Sequence, residues 1–477
     1  MEDGQVSVTH PTAKPVHPLI VSSMVATAFF MESFDSTVIG MALPMMAKSF
    51  STTPVALSIG LTSYILALAI ALPASGWIAE RWGSRNVFCA AIALFTLSST
   101  LCGFAGSLPE FVAWRALQGL GGALMSPVGR LVVLRSVDKK DLVRAMNFVS
   151  TPGLVGPLIA PPVGGFIATY ADWRWIFFIN IPVGLLGVAL AWRFIPKGHG
   201  QQTRSFDLTG FCLNGVALAT LLLGLDLAGH AGDARWIGLG LAAFGFAVGW
   251  VVTAHYRRAE HPLVDLSALR IKTFAVATLL GGSLFRMSIA APIFVLPLFL
   301  QIGLGKSAFE AGFLVLAHSG GDLGMKVVTT ATLKRLGFRT ALIASAAVFG
   351  LLMASLALVD ANTPLAILLA ILVVAGMARS LQMTGLSSLQ FADIPRERMT
   401  GASTYASLNQ NVTRALGIAF AAIVLNTSIA LRVGADGGPG LFDFHVAFVA
   451  AALLPLAAML RYFTLPADAG RHVSVGR

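Results

Sequence analysis

The chain has 477 residues, 56% of them hydrophobic and 12% charged, with a formal net charge of +11 and a mean hydropathy of +0.79. Soluble domains carry about 25% charged residues. The polar surface of a soluble enzyme therefore cannot be assembled from this composition, and disorder, collagen and a disulfide scaffold are excluded with it. In a membrane protein the basic excess is the expected surplus of Lys and Arg in cytoplasmic loops, so no nucleic-acid partner is expected.

A helix needs about 20 mostly apolar residues to cross a bilayer. Such runs are predicted over 19–43, 54–78, 86–107, 110–134, 146–169, 175–194 and 207–228. They continue over 236–256, 273–300, 308–332, 340–359, 363–388, 402–428 and 443–464. The reading is an all-α polytopic membrane protein with 14 spans and the lipid bilayer as its surroundings. The first 18 residues are polar, contain Pro11, Pro15 and Pro18, and show no signal-peptide pattern. With the N-terminus inside, 23 of the 33 basic residues fall in cytoplasmic segments. Lys48, Arg174, Arg235, Lys306 and Arg432 fall outside, and Arg115, Arg286, Lys326, Arg379 and Arg414 fall within spans. This asymmetry predicts that both termini are cytoplasmic. Trp173, Trp175, Phe177 and Phe178 are expected as an interfacial aromatic belt. Cys89, Cys102 and Cys212 form no CxxC pair and are expected as reduced core thiols.

The widest inner segments, 135–145, 195–206 and 257–272, suggest a 6+2+6 division. The expected parts are a cytoplasmic tail 1–18, a six-helix bundle 19–197, a linker with two inserted spans 198–272, a second bundle 273–465 and a tail 466–477. A weak repeat supports this. Arg81-Trp82-Gly83-Ser84-Arg85 follows span 2, and Arg335-Leu336-Gly337-Phe338-Arg339 follows span 10. Both place basic–x–Gly–x–Arg at a short inner turn, and related halves around a central cavity are a usual plan of secondary transporters.

The stretch Gly76 to Arg85 resembles the G-x-L-A-D/E-R-x-G-R-K loop of the major facilitator superfamily, with Glu80 for its Asp and Ser84 for its first basic residue. Gly76 is expected to allow close helix approach and Gly83 a tight turn. Glu80, Arg81 and Arg85 are expected to form an inner-face charge network that holds one transporter state; topogenic charge is the alternative. In span 4, Arg115-Ala116-Leu117-Gln118-Gly119-Leu120-Gly121-Gly122 resembles the family's R-x-x-Q-G-x-G. A basic group there needs a partner or a wet cavity. Gly119 and Gly122 share its helix face, so a neighbour can come close. A structural Arg bonded to carbonyls is the alternative.

Asp35 to Pro44 in span 1 resembles the L-D-x-T-x-V-x-x-A-L-P signature of the fourteen-span drug:proton antiporter branch of that superfamily, with Phe34 for Leu and Gly40 for Asn. Glu32 and Asp35, three apart, share a helix face. Two carboxylates in low dielectric cannot both ionise cheaply, so one is expected to hold a proton; structural pairing of either is the alternative. Span 5 carries Gly156, Pro157, Pro161, Gly164 and Gly165. This is similar to the antiporter motif ending G-P-x-x-G-G, with Ala160 for its Gly and Pro162 added. Trp173 to Gly184 matches the branch's W-R-W-x-F-x-I-N-x-P-x-G run, and Leu296-Pro297-Leu298-Phe299-Leu300-Gln301 and Ala311-Gly312 are also typical of it.

Asp322 and Lys326, four apart in span 10, can pair on one face, and a self-neutralising structural pair is the alternative to a coupling site. With Gln118, Asn180, Arg286 and Arg379 they are candidates for substrate binding or coupling. No dinucleotide fingerprint, phosphate loop or metal-ligand spacing is present, so no catalysis, cofactor or metal is expected. The resemblance implies the major facilitator fold. It also implies a proton-coupled transporter that exports drugs or other amphipathic or cationic small molecules by substrate:proton antiport. Glu32 and Asp35 would carry the proton, Arg115 would tune them, and Met31, Met287 and Met383 would line the cavity. The partners are a small-molecule substrate and protons, in a monomer or with an accessory export partner. A symporter or uniporter, a siderophore or lipid exporter, and a non-transporting sensor are the alternatives.

Overall fold

The computed structural model describes residues 18–136, 142–196, 205–229, 233–259, 262–395, 398–433, 438–466 and 469–470. The predicted tails 1–18 and 466–477 lie almost wholly outside the described residues, as do the centres of the segments 135–145 and 195–206. Every regular element described is helical. A lipid interior offers no hydrogen bonds to an open backbone, and a helix satisfies its own.

Eleven helices are long and apolar enough to cross a membrane. One of them, Ala308–Leu358, is 51 residues long, more than twice what a bilayer needs at about 1.5 Å per residue. It breaks at Gly337, whose φ of 73° and ψ of 159° are not helical, and is therefore spans 10 and 11. Pro18–Val38 (span 1) and Leu142–Tyr170 (span 5) complete the predicted set. The others in order are Ser58–Trp82 (span 2), Ser84–Phe104 (3), Leu108–Ser136 (4), Trp175–Phe194 (6), Leu208–Ala228 (7) and Asp233–Arg258 (8). Lys272–Gly303 (9), Leu365–Ala392 (12), Met399–Val433 (13) and Leu441–Tyr462 (14) follow.

Local chemistry sets several ends. Span 1 stops as a regular helix at Val38, makes one tight turn over Ile39–Met41, and restarts as Leu43–Ser49 with Pro44 in its first turn. Proline has no N–H to lose there. Ser307 and Glu310 form a reciprocal capping box at the start of span 10. Gly83 separates spans 2 and 3 at φ 82° and ψ 133°. Gly83 and Gly337 thus adopt the same glycine-favoured backbone at the two repeat turns.

Span 1 packs on span 5, span 4 on spans 2 and 3, and span 3 on span 6. In the second half, span 12 packs along spans 10 and 11, and span 9 packs on spans 13 and 14. Spans 7 and 8 pack on each other, and span 7 also touches spans 2 and 13. Span 8 is peripheral: only 22% of its most apolar stretch is buried, and Trp236, Phe246 and Trp250 face outward.

Two expectations need correction. Trp173 and Phe177 are buried in the core, packed around Phe50 and Phe111, and only Trp175 is exposed as a belt residue should be. Cys89 and Cys102 are buried, whereas Cys212 faces outward on span 7. An apolar run is equally compatible with a core or a lipid-facing position, and the sequence does not distinguish them.

Candidate functional site

Four of the predicted residues converge on one buried cluster. Arg115 Nη1 donates to Asp35 Oδ2 at 2.6 Å and to Gln118 Oε1 at 2.5 Å. Gln118 Nε2 donates to Asp35 Oδ1 at 2.9 Å, and Asn180 Nδ2 donates to the same oxygen at 3.2 Å and to Ser99 Oγ at 2.9 Å. The Arg115 guanidinium lies 4.3 Å over the Tyr64 ring. The glycines of the motif make this possible. A Cβ on Gly119 would sit 2.2 Å from the Tyr64 carbonyl oxygen, and one on Gly122 would sit 2.9 Å from its hydroxyl. Span 2 can therefore lie directly against the Arg115 face. Asp35 is fully compensated and does not open onto a cavity.

Glu32 is placed differently. It is half-buried and accepts a hydrogen bond from Ser126 Oγ at 2.5 Å. Among the described residues no cation lies within ion-pair distance of it, although Arg130 and Arg414 are within electrostatic reach. Glu32 and Asp35 both face span 4, as their spacing predicts.

A cavity of about 340 Å³ lies between the halves. Ser33, Ser36 and Thr37 of span 1 and Gly153, Pro157 and Pro161 of span 5 form one wall. Arg286, His318, Arg379, Met383 and Arg414 stand on the other, with apolar Ile289, Ile293, Phe349, Met353 and Leu372. Neither Glu32, Asp35 nor Lys326 lines it. Of the three methionines expected, Met383 lines it, Met31 is in the core and Met287 does not reach it.

Arg286 is held by backbone. A π-turn over Val276–Leu280 interrupts the regular hydrogen-bond ladder. Arg286 Nη1 donates to the carbonyls of Ala277 at 3.1 Å and Thr278 at 3.4 Å, and Nη2 donates to Gln390 Oε1 at 3.1 Å. The expected Asp322–Lys326 pair does not form. Asp322 Oδ2 instead accepts from Arg379 Nη1 at 3.3 Å. Gly376 and Gly321 explain this, since their Cβ atoms would meet His318 O at 1.9 Å and Val373 O at 2.0 Å. Backbone contact between spans 10 and 12 brings Arg379, one turn on, to the carboxylate. His318 Nδ1 lies 3.1 Å from Leu372 O across the same seam.

The inner-loop motif also departs from expectation. Nothing lies within 4 Å of a Cβ on Gly76, so no close approach depends on it. Glu80, Arg81 and Arg85 form no ion pair among the described residues. Arg81 lies 5.5 Å over Trp77 and Arg85 4.7 Å over Trp192. Among the described residues both arginines are thus held by cation–π contact. In span 5, Gly156 packs on the span 1 backbone at Phe34 N and Phe30 O, Gly164 on Val38 and Gly165 on Ala308 O. Gly312 meets Pro161 O in return. Together with the Phe309 N to Thr169 Oγ1 bond of 3.1 Å, these contacts close one end of the cleft between the halves.

Arg414 and His318 join the site although the sequence marks each only as a lone polar residue in a long apolar run. That isolation was itself the signal.

Comparison with known proteins fits this architecture. The MdtD protein of Salmonella paratyphi A, named for multidrug resistance, is 35% identical over 457 residues, covering 95% of this chain and 96% of the relative. The MdtD protein of Salmonella typhimurium is also 35% identical over the same coverage. Among solved structures, a POT family peptide transporter superposes with a TM-score of 0.66 at 15% identity, covering 94% of this chain and 97% of that one. The E. coli xylose transporter XylE superposes with a TM-score of 0.61 at 14% identity, covering 94% and 98%. The family model described as Major Facilitator Superfamily matches residues 25–422. The chain is an integral membrane protein belonging to the major facilitator superfamily of transporters.

Proposed function

We propose that the chain is a proton-coupled exporter of drug-sized amphipathic compounds in the bacterial inner membrane, with both termini in the cytoplasm. The multidrug-resistance name of its relatives supports the substrate class, and the concentration of Lys and Arg on one side of the spans supports the orientation. The observation that carries the reading is the contrast between two carboxylates of span 1. Asp35 is saturated by Arg115, Gln118 and Asn180, whereas Glu32 has a single hydroxyl partner. A carboxylate without a paired cation in the membrane interior is the group that can take up and release a proton as its access to water changes. Asp35 and Arg115 then act as a fixed clamp that positions span 1, and Glu32 acts as the proton carrier.

The two six-helix halves, residues 19–197 and 273–465, would rock about the cavity as a monomer, with spans 7 and 8 as a peripheral buttress. Arg81 and Arg85 at the Gly83 turn would hold one of the two states. The test is a proteoliposome with an imposed proton gradient and a panel of xanthene dyes of both charges. Gradient-dependent dye movement opposite to the proton is expected. If no gradient moves any dye in an active preparation, antiport is wrong, and co-directional proton movement would indicate symport.

A further inference from the structure

The cavity carries positive charge without a matching carboxylate in its lining. Arg286, Arg379 and Arg414 come from spans 9, 12 and 13, and no acidic side chain lines the space with them. Asp322, which pairs with Arg379, and Glu32, within electrostatic reach of Arg414, lie outside the lining. Arg286 is 7% exposed, and its two Nη groups are held by carbonyls and an amide, which orient its charge but do not cancel it. Arg414 makes no hydrogen bond or ion pair among the described residues. Each of the three arginines also keeps a buried Nε–H with no acceptor. Guanidinium groups within a membrane span are expensive unless something answers them, and a guanidinium fork matches a carboxylate, phosphate or sulfonate edge. The facing wall offers only hydroxyls, Ser33, Ser36 and Thr37. Apart from His318, Ser319 and Gln410, the remaining surface is apolar.

We propose that this cavity is a binding site for amphipathic organic anions, with the acidic group held by Arg286, Arg379 and Arg414 and the apolar body laid along Ile289, Ile293 and Phe349. The family resemblance in the sequence implies amphipathic or cationic cargo, with Glu32 and Asp35 as the proton-carrying carboxylates. The structure turns both carboxylates away from the lining. The inference rests on the export reading only for direction, since an interior-negative potential itself assists an anion outward. Its binding arm stands without that reading.

The experiment measures equilibrium binding of two dyes that share the xanthene ring system to the full-length purified protein. Fluorescein is anionic and rhodamine 6G is cationic. Fluorescein is expected to bind saturably and more tightly than rhodamine 6G. Arg414→Gln and Arg286→Gln are each expected to weaken it by about tenfold or more, the scale of one charge-assisted hydrogen-bonded contact, with partial recovery in Arg414→Lys. Arg414→Gln breaks no hydrogen bond or ion pair among the described residues, so it keeps the test open if Arg286→Gln fails to fold. Tighter rhodamine 6G binding, or fluorescein affinity unchanged in Arg414→Gln, would overturn the proposal. Inorganic phosphate binding as tightly as fluorescein would overturn the organic class. Fluorescein binding without gradient-driven flux supports this site and counts against the export reading. Gradient-driven flux of rhodamine 6G alone, without fluorescein binding, does the reverse.

Discussion

Arg115 Nη1 and Asp35 Oδ2 lie 2.6 Å apart, and the two side chains are 1% and 0% exposed. The pair joins spans 1 and 4 across 80 residues of sequence. Removing one member leaves an uncompensated charge in the membrane interior, at a cost of about 3–5 kcal/mol. Asp35→Asn and Arg115→Gln are each expected to lower thermal stability in detergent strongly. The double variant should lose less than the two losses added together, because it strands no charge. Additive losses would show that the two residues do not act as a pair.

Glu32→Gln keeps the size and the hydrogen-bonding capacity toward Ser126 while removing the titratable group. It is expected to fold and to bind substrate. Gradient-driven flux in proteoliposomes should fall to the level of protein-free vesicles, with downhill substrate exchange retained. Full coupling in this variant would remove Glu32 from the mechanism.

Gly282 and Gly76 make opposite predictions from the same residue type. A Cβ on Gly282 would meet Ala277 O at 1.8 Å and Arg286 Nη1 at 2.7 Å. Gly282→Ala should therefore cost about 1–3 kcal/mol through overpacking and weaken binding at the cavity by displacing Arg286. Gly76→Ala meets nothing within 4 Å and gains about 1 kcal/mol of helix propensity, so its thermal unfolding should be unchanged or slightly raised.

The turns at Gly83 and Gly337 share φ values of 82° and 73°. An alanine at either position carries a strain of about 1–3 kcal/mol. Gly83→Ala and Gly337→Ala are expected to lower the unfolding temperature by similar amounts, as measured by differential scanning fluorimetry.

Asp207 caps span 7 and accepts hydrogen bonds from Gly210 N at 2.8 Å and Leu263 N at 3.4 Å, with His255 Nε2 2.8 Å away. Burial works to raise this carboxyl, and the bonds from Gly210, His255 and Leu263 outweigh it and hold it below the ordinary aspartate range. A carboxyl lowered in the folded state stabilises at pH above its unfolded value and loses that contribution as pH falls through the folded one. Wild-type stability should therefore exceed that of Asp207→Asn at neutral pH, and the gap should narrow on acidification below the aspartate range. A gap that does not change with pH would mean that the charge is not what Asp207 contributes.

The spans were legible in the sequence because a run of about 20 apolar residues has one physical use. The Gly83 and Gly337 turns were legible because glycine between basic residues at a span end marks a sharp reversal. Asp35, Arg115, Gln118 and Asn180 were each conspicuous as polar residues in apolar surroundings. Their convergence was not, since contacts across 80 to 145 residues have no local signature. Asp322 shows the limit of local geometry. Spacing of four allowed a pair with Lys326, and the glycine seam between spans 10 and 12 delivered Arg379 instead. The charge of the cavity was likewise hidden, because it depends on which face of spans 9, 12 and 13 turns inward.

At the closed end of the cleft, Gly165 rests on the Ala308 carbonyl and Gly312 on that of Pro161, a reciprocal contact of backbone on backbone. Beside these glycines the Phe309 ring packs on Phe166 and Tyr170, and the Thr169 hydroxyl holds the Phe309 amide. The seal is thus smooth backbone rimmed by an aromatic latch, and parting the two spans should require those rings to slide apart while the glycine faces separate freely.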